Sequence, residues 1–237
     1  CAASLACSMV HPDKCGIGGY LLTGVAIDGA SGRAWSIDAN SRAPAAAHED
    51  MYEVGPATAP GARLNAMEYD CSVRDDANVH GALAVGVPGQ MGGIGTLHER
   101  WGRLPWARLV QPSLDLLADG IPIGAGLANS ISGLEGVIRR YPATAEHLLV
   151  DGKVPAQGST WHRPHMERTL ERLATAGWQD FYDGEVAGAI VDSVRDAGGI
   201  LTRRDMATFQ PRISEPYSAR YRDAEILGAI LPNGPIS

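Results

Sequence analysis

The stretch Gly16-Ile17-Gly18-Gly19-Tyr20-Leu21-Leu22 constrains this chain more than any other. A run of small and apolar residues, Ala2 to Val10, leads into the glycines. It reads as a buried helix that His11-Pro12 ends, because proline disfavours the helical conformation in the residue before it. An apolar run from Tyr20 to Ile27 follows, then Asp28-Gly29-Ala30-Ser31-Gly32, then Ala34 to Asp38. Asp-Gly or Ser-Gly between two apolar runs is a hairpin signal. Glycines ahead of a strand let a second backbone approach closely or allow positive φ. The chain therefore opens with a helix that delivers a hairpin, with the glycines at the joint.

Residues 39–52 read as a loop, and residues 53–80, rich in Gly, Pro, Asn and Asp, as a long surface insertion. Gly81 to Val87 is a continuous apolar run, the pattern of a fully buried strand, ending at Pro88-Gly89. Most of the remainder is helical. Met91 to Trp101 is a glycine-rich, hence closely packed, helix. Pro105 fits the first turn of the next helix, with Leu109 on its buried face, and Pro112 predicts a break or a kink before a second piece ending at Gly120. Residues 125–150 read as helix with loops. Met166, Leu170 and Leu173 make an apolar stripe stopped by Gly177; Val186, Ile190 and Val194 make another stopped by Gly198-Gly199. Thr202 with Asp205 looks like a helix-start cap, and residues 224–231 like a last strand. Strands and helices clustered in this way favour an α+β arrangement over alternating βαβ units.

The formal net charge of −7 argues against non-specific nucleic-acid binding, which needs lysine and arginine against phosphate. No apolar run approaches the roughly 20 residues that span a bilayer. Cys1, Cys7, Cys15 and Cys71 form no C-x-x-C pair; the first three sit among Ala, Ser and Gly and read as small buried packing residues. His162 and His165 flank Pro164, which is not the helical spacing of a ligand pair, so no metal is expected. Gly16-x-Gly18-Gly19 lacks the dinucleotide fingerprint, and no G-x-S-x-G elbow occurs. His11 and Asp13 read as structural, with a place at the border of the active cleft as the alternative, Glu99, Arg100 and Arg103 as a solvated helix face, and Trp101 and Trp106 as core packing. The chain starts at Cys1, without Met and inside an expected helix, and stops at Ser237; both ends read as cut.

Several segments resemble one family in order and at similar spacing. Pro12 to Leu22 is similar to the "SGIGGGGF" region of the γ-glutamyltransferases (glutathione hydrolases). Ile37-Asp38 with Arg42-Ala43-Pro44-Ala45 and Asp50-Met51-Tyr52 resembles the family's "RExAPxxxxxDMF" segment. Gly86-Val87-Pro88-Gly89, Trp101-Gly102-Arg103-Leu104-Pro105, Phe181-Tyr182-Asp183-Gly184, Gly198-Gly199-Ile200-Leu201-Thr202 with Asp205-Met206, and Glu215-Pro216 with Tyr221-Arg222 continue the match.

The resemblance implies the four-layer αββα sandwich of the N-terminal-nucleophile hydrolases. Residues 1–237 would supply a single, incomplete domain, the large-subunit portion. Family enzymes are one precursor that cuts itself ahead of a Thr, which then serves as nucleophile and amine base for acyl transfer. That Thr, the oxyanion glycines and most γ-glutamyl contacts belong to the small subunit. The implied partner is therefore that subunit, the implied substrate a small-molecule amide, and the mechanism calls for no cofactor. No catalytic residue is expected in this chain, and none of its threonines matches the nucleophile motif.

One donor contact does come from the large subunit: the Arg of "RExAP", which grips an α-carboxylate. Aligned on Ala43-Pro44, that position holds Asn40, the following Glu is Ser41, and Arg42 lies two positions later. An amide cannot copy a bidentate guanidinium clamp. Either Arg42 swings into the site, or the substrate carries no α-carboxylate there, as in a related amidohydrolase acting on a non-γ-glutamyl amide. Arg42 could equally be a surface salt-bridging residue, with Asn40 capping a turn. A non-catalytic assembly or binding subunit with the same fold is the alternative of another class. Many family members are periplasmic or secreted; the sequence itself names no compartment.

Overall fold

Leu5 and Met9 stand one turn apart and are fully buried, which fixes helix α1 (Ala2–Val10) in the core. The computed structural model describes residues 1–57 and 71–230. His11 closes α1 with its N–H on the Cys7 carbonyl, and Pro12 opens the short helix α2 (Pro12–Cys15). Strands β1 (Leu21–Ile27) and β2 (Ala34–Asn40) form the expected antiparallel hairpin, with Leu21 opposite Asn40 and Ile27 opposite Ala34. The Asp28 carboxylate holds the turn by accepting the N–H groups of Ala30 and Ser31 at 3.1 and 3.3 Å. At the joint ahead of β1, Gly19 carries the close approach. Its carbonyl accepts from both Gly89 N and Gln90 N at 3.0 Å, and an added Cβ would sit 2.7 Å from the Gly16 carbonyl oxygen.

The insertion over residues 53–80 holds a short ladder, β3 (Val54–Ala57) against β4 (Cys71–Val73); residues 58–70 lie outside the described part. The buried strand expected over 81–87 is not formed. Gly81 turns at φ 88°, Ala82–Ala84 make a 3-10 turn, and Val87 alone of this run forms a bridge, to Arg42. Among the described residues the rest of the run has no strand paired with it, and its backbone bonds locally, Ala84 N to Gly81 O at 3.2 Å.

Helix α3 (Gln90–Trp101) packs on β1 and β2, with Gly93 against Leu22 and Ala39 and Gly95 beneath the Trp178 ring. Helix α4 (Trp106–Asp119) has Pro105 as its N-cap and runs unbroken through Pro112, contrary to the expected break. Pro112 and Arg108 lie on the exposed face, so the Arg108 carbonyl left without its helical partner meets water. Val110, Ser113 and Leu117 anchor the other face. Then come β5 (Ile121–Pro122), α5 (Ala125–Gly133), α6 (Glu135–Ile138), α7 (Pro142–Leu148) and β6 (Thr160–Trp161), which pairs back on β5. Ile123, Leu127, Ile131, Ile138, Leu149 and Trp161 give this excursion its own apolar cluster, separate from the main core.

Helix α8 (Pro164–Ala176) buries Leu170 and Leu173, packs on α4, and stops at Gly177 with φ 91°. Helices α9 (Asp180–Asp183), α10 (Glu185–Asp196) and α11 (Arg203–Ala207) follow. The expected stripe of α10 is half-buried, flanking the buried Ala187, Gly188 and Val191. The Thr202–Asp205 capping box opens α11 as the sequence predicts. Strand β7 (Arg212–Ser214) joins β2, giving the sheet order β1-β2-β7, and β8 (Tyr217–Tyr221) with β9 (Ala224–Gly228) forms a last hairpin. The expected last strand ends at Gly228, and Leu231 lies outside the described residues. Several side-chain expectations need correction. Cys7 is exposed, because α1 turns its Leu5, Ser8 and Met9 face inward, while Cys1 packs half-buried against the main core and Cys15, on α2, is half-buried; the Cys71 side chain lies outside the described part. Trp101 is half-buried beside Trp35, whereas Trp106 packs against the main core as expected, half-buried, with its indole N–H on the Leu173 carbonyl at 2.9 Å. Glu99 is more than a solvated group: it accepts from Trp178 Nε1 at 3.0 Å and Gln179 Nε2 at 2.6 Å.

Arg163, only 4 % exposed, clasps the α5–α7 excursion to α1. Its NH1 donates to the Met9 carbonyl at 3.0 Å, and its Nε and NH2 donate to His147 Nε2 at 3.2 and 3.0 Å. The accepting His147 ring is neutral, with its proton on Nδ1. Burial first, then the Arg163 cation and His165, push the His147 pKa down to about 4. Unfolded chains take up this proton near pH 6.5, the folded protein only near 4. Stability is therefore full above pH 6.5 and falls as pH drops toward 4, by about 2 to 3 kcal/mol from this group. Urea unfolding of the wild type and of His147→Gln at pH 7, 5 and 4 measures it. The variant should lose less stability across that window; equal losses would refute the assignment.

Candidate functional site

β2 delivers Asp38 and Asn40 to the same face, two residues apart. Asp38 Oδ1 accepts from the Asn40 backbone N–H at 3.1 Å and from Asn40 Nδ2 at 2.9 Å. Asp38 Oδ2 accepts from Arg212 NH2 of β7 at 3.1 Å, and the Asp38 side chain is 12 % exposed. The donor end of the Asn40 amide is thus tied to a carboxylate.

The loop after β2 is held along its length. Ser41 N donates to the Tyr20 carbonyl at 2.5 Å, and Arg42 and Val87 exchange backbone bonds at 2.8 and 3.3 Å. The exposed Arg42 side chain lies across Phe209, its guanidinium carbon 5.4 Å from the ring centroid, and its NH2 donates to the Gln210 carbonyl at 2.8 Å. Pro44 is buried, and Ala45 N donates to Asp205 Oδ1 at 2.9 Å. Burial alone would raise the Asp205 pKa. The Thr202 hydroxyl and the N–H groups of Ala45 and Thr202 outweigh burial and hold it below the usual carboxylate range.

Asn40, the last residue of β2, and Arg42, on the loop after it, therefore lie two positions apart but face different partners. Asn40 turns to Asp38, and Arg42 to Gln210 and Phe209. Two positioning residues escape the sequence reading. Asp38 had a local signal, its place two residues ahead of Asn40 on one strand face. Asp205 is legible as a cap, but its grip on Ala45 spans 160 positions and has no local signal. Asp13 faces α5, where its Oδ2 accepts from Ser130 Oγ at 2.9 Å, and the exposed His11 ring stands beside Asp13 with Nδ1 3.9 Å from Oδ1. His162 and His165 are exposed, His165 Nδ1 lying 2.8 Å from Arg168 NH2. Among the described residues no cluster of three His, Cys, Asp or Glu could hold a metal ion, and no helix is long and apolar enough to cross a membrane.

The gamma-glutamyltranspeptidase family model matches residues 1–235. Glutathione hydrolase 2 of Arabidopsis thaliana is 29% identical over 232 residues, covering 98% of this chain and 36% of that protein. The acylase ACY 1 proenzyme of Pseudomonas sp. (strain SE83) is 31% identical over 232 residues, covering 98% of this chain and 40% of that protein. The crystal structure of Helicobacter pylori gamma-glutamyltranspeptidase superposes with a TM-score of 0.84 at 24% identity, over 98% of this chain and 62% of that one. The chain spans roughly a third of the length of the first two curated relatives it matches, 36% and 33%. Its hairpin, helical excursion and returning strands are the chain's share of the αββα sandwich of the N-terminal-nucleophile hydrolases. With the match running from Cys1 to Pro235, the chain belongs to the gamma-glutamyltranspeptidase family.

Proposed function

We propose that this chain is the large-subunit portion, a single incomplete domain, of a γ-glutamyltransferase-like amide hydrolase or acyltransferase. Its partner is the small subunit of the same precursor, which supplies the Thr nucleophile. The Thr hydroxyl attacks the amide carbonyl carbon while the Thr amine takes its proton. The departing amine leaves with a proton, and water or a second amine then resolves the acyl-enzyme. The Asp38–Ala45 loop borders the acyl donor, with Asn40 and Arg42 as its donor-binding groups. The observation that carries this role is the fixing of that loop by the Tyr20 and Val87 backbones and by Asp205. A functional loop held by a rigid scaffold is the arrangement that binding requires.

A second reading concerns the donor, and the Asn40 amide favours it. The neighbouring Asp38 carboxylate repels a substrate carboxylate, and Arg42 is engaged elsewhere. On that reading the donor is a different small amide, and a relative named as an acylase, at 31% identity, is in keeping with it. One assay separates the two. The full-length protein is checked by N-terminal sequencing for a second chain that begins with Thr, then given a chromogenic γ-glutamyl anilide and the carboxylate-free butanoyl anilide. If Arg42 leaves Gln210 to clamp the γ-glutamyl donor, Arg42→Ala should lower kcat/KM for that donor alone by about tenfold, the scale of one charge-assisted hydrogen bond. Unchanged γ-glutamyl kcat/KM in the variant removes Arg42 from the site. Preference of the wild type for butanoyl anilide establishes the second reading. Absence of a Thr-started chain replaces both with a non-catalytic assembly role.

A further inference from the structure

The excursion and the body are two separately packed units, and a cleft of about 650 Å³ lies between them. Leu127, Ile131 and Ile138 form its wall on the excursion side, and Val79, Val85 and Val194 its wall on the body side. Large apolar side chains stand exposed at its edge, Val79 at 46% and Leu134 at 49%. Two polar clasps fix its width: Ser130 Oγ on Asp13 Oδ2 at 2.9 Å, and Arg163 on Met9 and His147. No residue of the 38–45 loop lines it. Volume, apolar walls and a few converging polar groups are the attributes of a small-molecule pocket.

Charge decides what such a pocket can take. Among the described residues, the titratable groups that line it are Asp13, His80 and Tyr141, and no lysine or arginine does. The Asp13 side chain is 16% exposed, and Lys14, with its ammonium 3.7 Å away, is 74% exposed and stands outside the described lining. His11 Nδ1 lies 3.9 Å from the other carboxylate oxygen. An anionic ligand would leave its charge against Asp13 with no cation among the described lining residues to meet it, whereas an ammonium group would gain the carboxylate and bury its carbon body between the walls. We propose that the cleft between α5–α7 and residues 79–85 binds an apolar amine, an aryl or alkyl body with one ammonium group seated at Asp13.

The full-length protein is titrated by calorimetry at pH 7 with 4-phenylbutylamine and with 4-phenylbutanoate, which share an apolar body and carry opposite charge. The amine should bind at least about tenfold tighter than the carboxylate. Asp13→Asn should erase that preference. Thr144→Trp and Ser193→Trp, at exposed positions on opposite walls, should each weaken amine binding at least about tenfold while leaving the unfolding temperature in place. If Asp13→Asn fails to fold, the amine–carboxylate pair on the wild type and the two tryptophan variants still decide. Equal affinity for the two probes, amine binding indifferent to both tryptophans, or no amine binding at millimolar concentration would each overturn the proposal.

Discussion

Gly89→Ala should destabilise the protein by about 3 kcal/mol or more, among the largest losses a single methyl group can cause. The backbone at Gly89 is in the right-handed region (φ −99°, ψ −34°), so alanine meets no torsional penalty there. The obstacle is contact. A Cβ at this position would fall inside the Ala39 carbonyl oxygen and meet the carbonyl carbon of Ala39 at 2.8 Å and that of Asn40 at 3.0 Å. These are backbone atoms of β2, paired with β1 at Leu22 and Leu21, and no rotamer change can move them. The start of α3 must lift off the sheet, and the Gly89 and Gln90 bonds to the Gly19 carbonyl go with it. At about 2–4 °C per kcal/mol for a chain of this size, the melting temperature should fall by roughly 6–12 °C. Gly18→Ala is the control, since a Cβ there meets nothing within 4 Å. A Gly89→Ala melting point within 2 °C or so of wild type would show that the sheet and α3 are not locked at this joint.

Arg163→Ala should cost about 2 to 4 kcal/mol through a different mechanism. Burial holds the Arg163 pKa down to about 10, so the cation is itself costly to keep inside. Its removal relieves that cost but orphans two buried acceptors, the Met9 carbonyl and His147 Nε2, and leaves a void beside Trp161, whose ring lies 4.5 Å from the guanidinium carbon. The orphaned groups and the void outweigh the relief. The variant also carries a signature that a simple packing loss lacks. The Arg163 charge is the second cause of the lowered His147 pKa, after burial, so without it that pKa rises toward its ordinary value. The stability lost between pH 6.5 and 4 should then shrink without vanishing. Urea unfolding at pH 7 and pH 4.5 tests both effects at once. A variant as stable as wild type at pH 7, or one with an unaltered pH dependence, would contradict the clasp.

Local chemistry wrote much of this fold into the sequence. The β1–β2 hairpin follows from Asp28 and the glycines of its turn, α8 and α10 stop at Gly177 and Gly198, and the Thr202–Asp205 box opens α11. Each is a decision among residues a few positions apart, so a one-dimensional pattern can carry it. The family, too, was legible, because seven short segments keep its order. Also legible was a departure from the family's pattern: Asn40 stands where the resemblance implies Arg. Tertiary structure decided what needs distant partners. The run Gly81 to Val87 reads as a strand, yet a strand is defined by its neighbour, and here Val87 alone finds one, 45 positions away at Arg42. Pro112 reads as a break, yet α4 continues because the buried face opposite the proline is anchored in the core and the unpaired carbonyl faces water. Asp205 grips Ala45, Arg163 grips Met9 and His147, and Arg42 turns to Gln210. A side chain's type is set by the sequence, but whether its charge is buried, paired or turned toward a ligand depends on which backbone atoms the folded chain brings within about 3 Å of it.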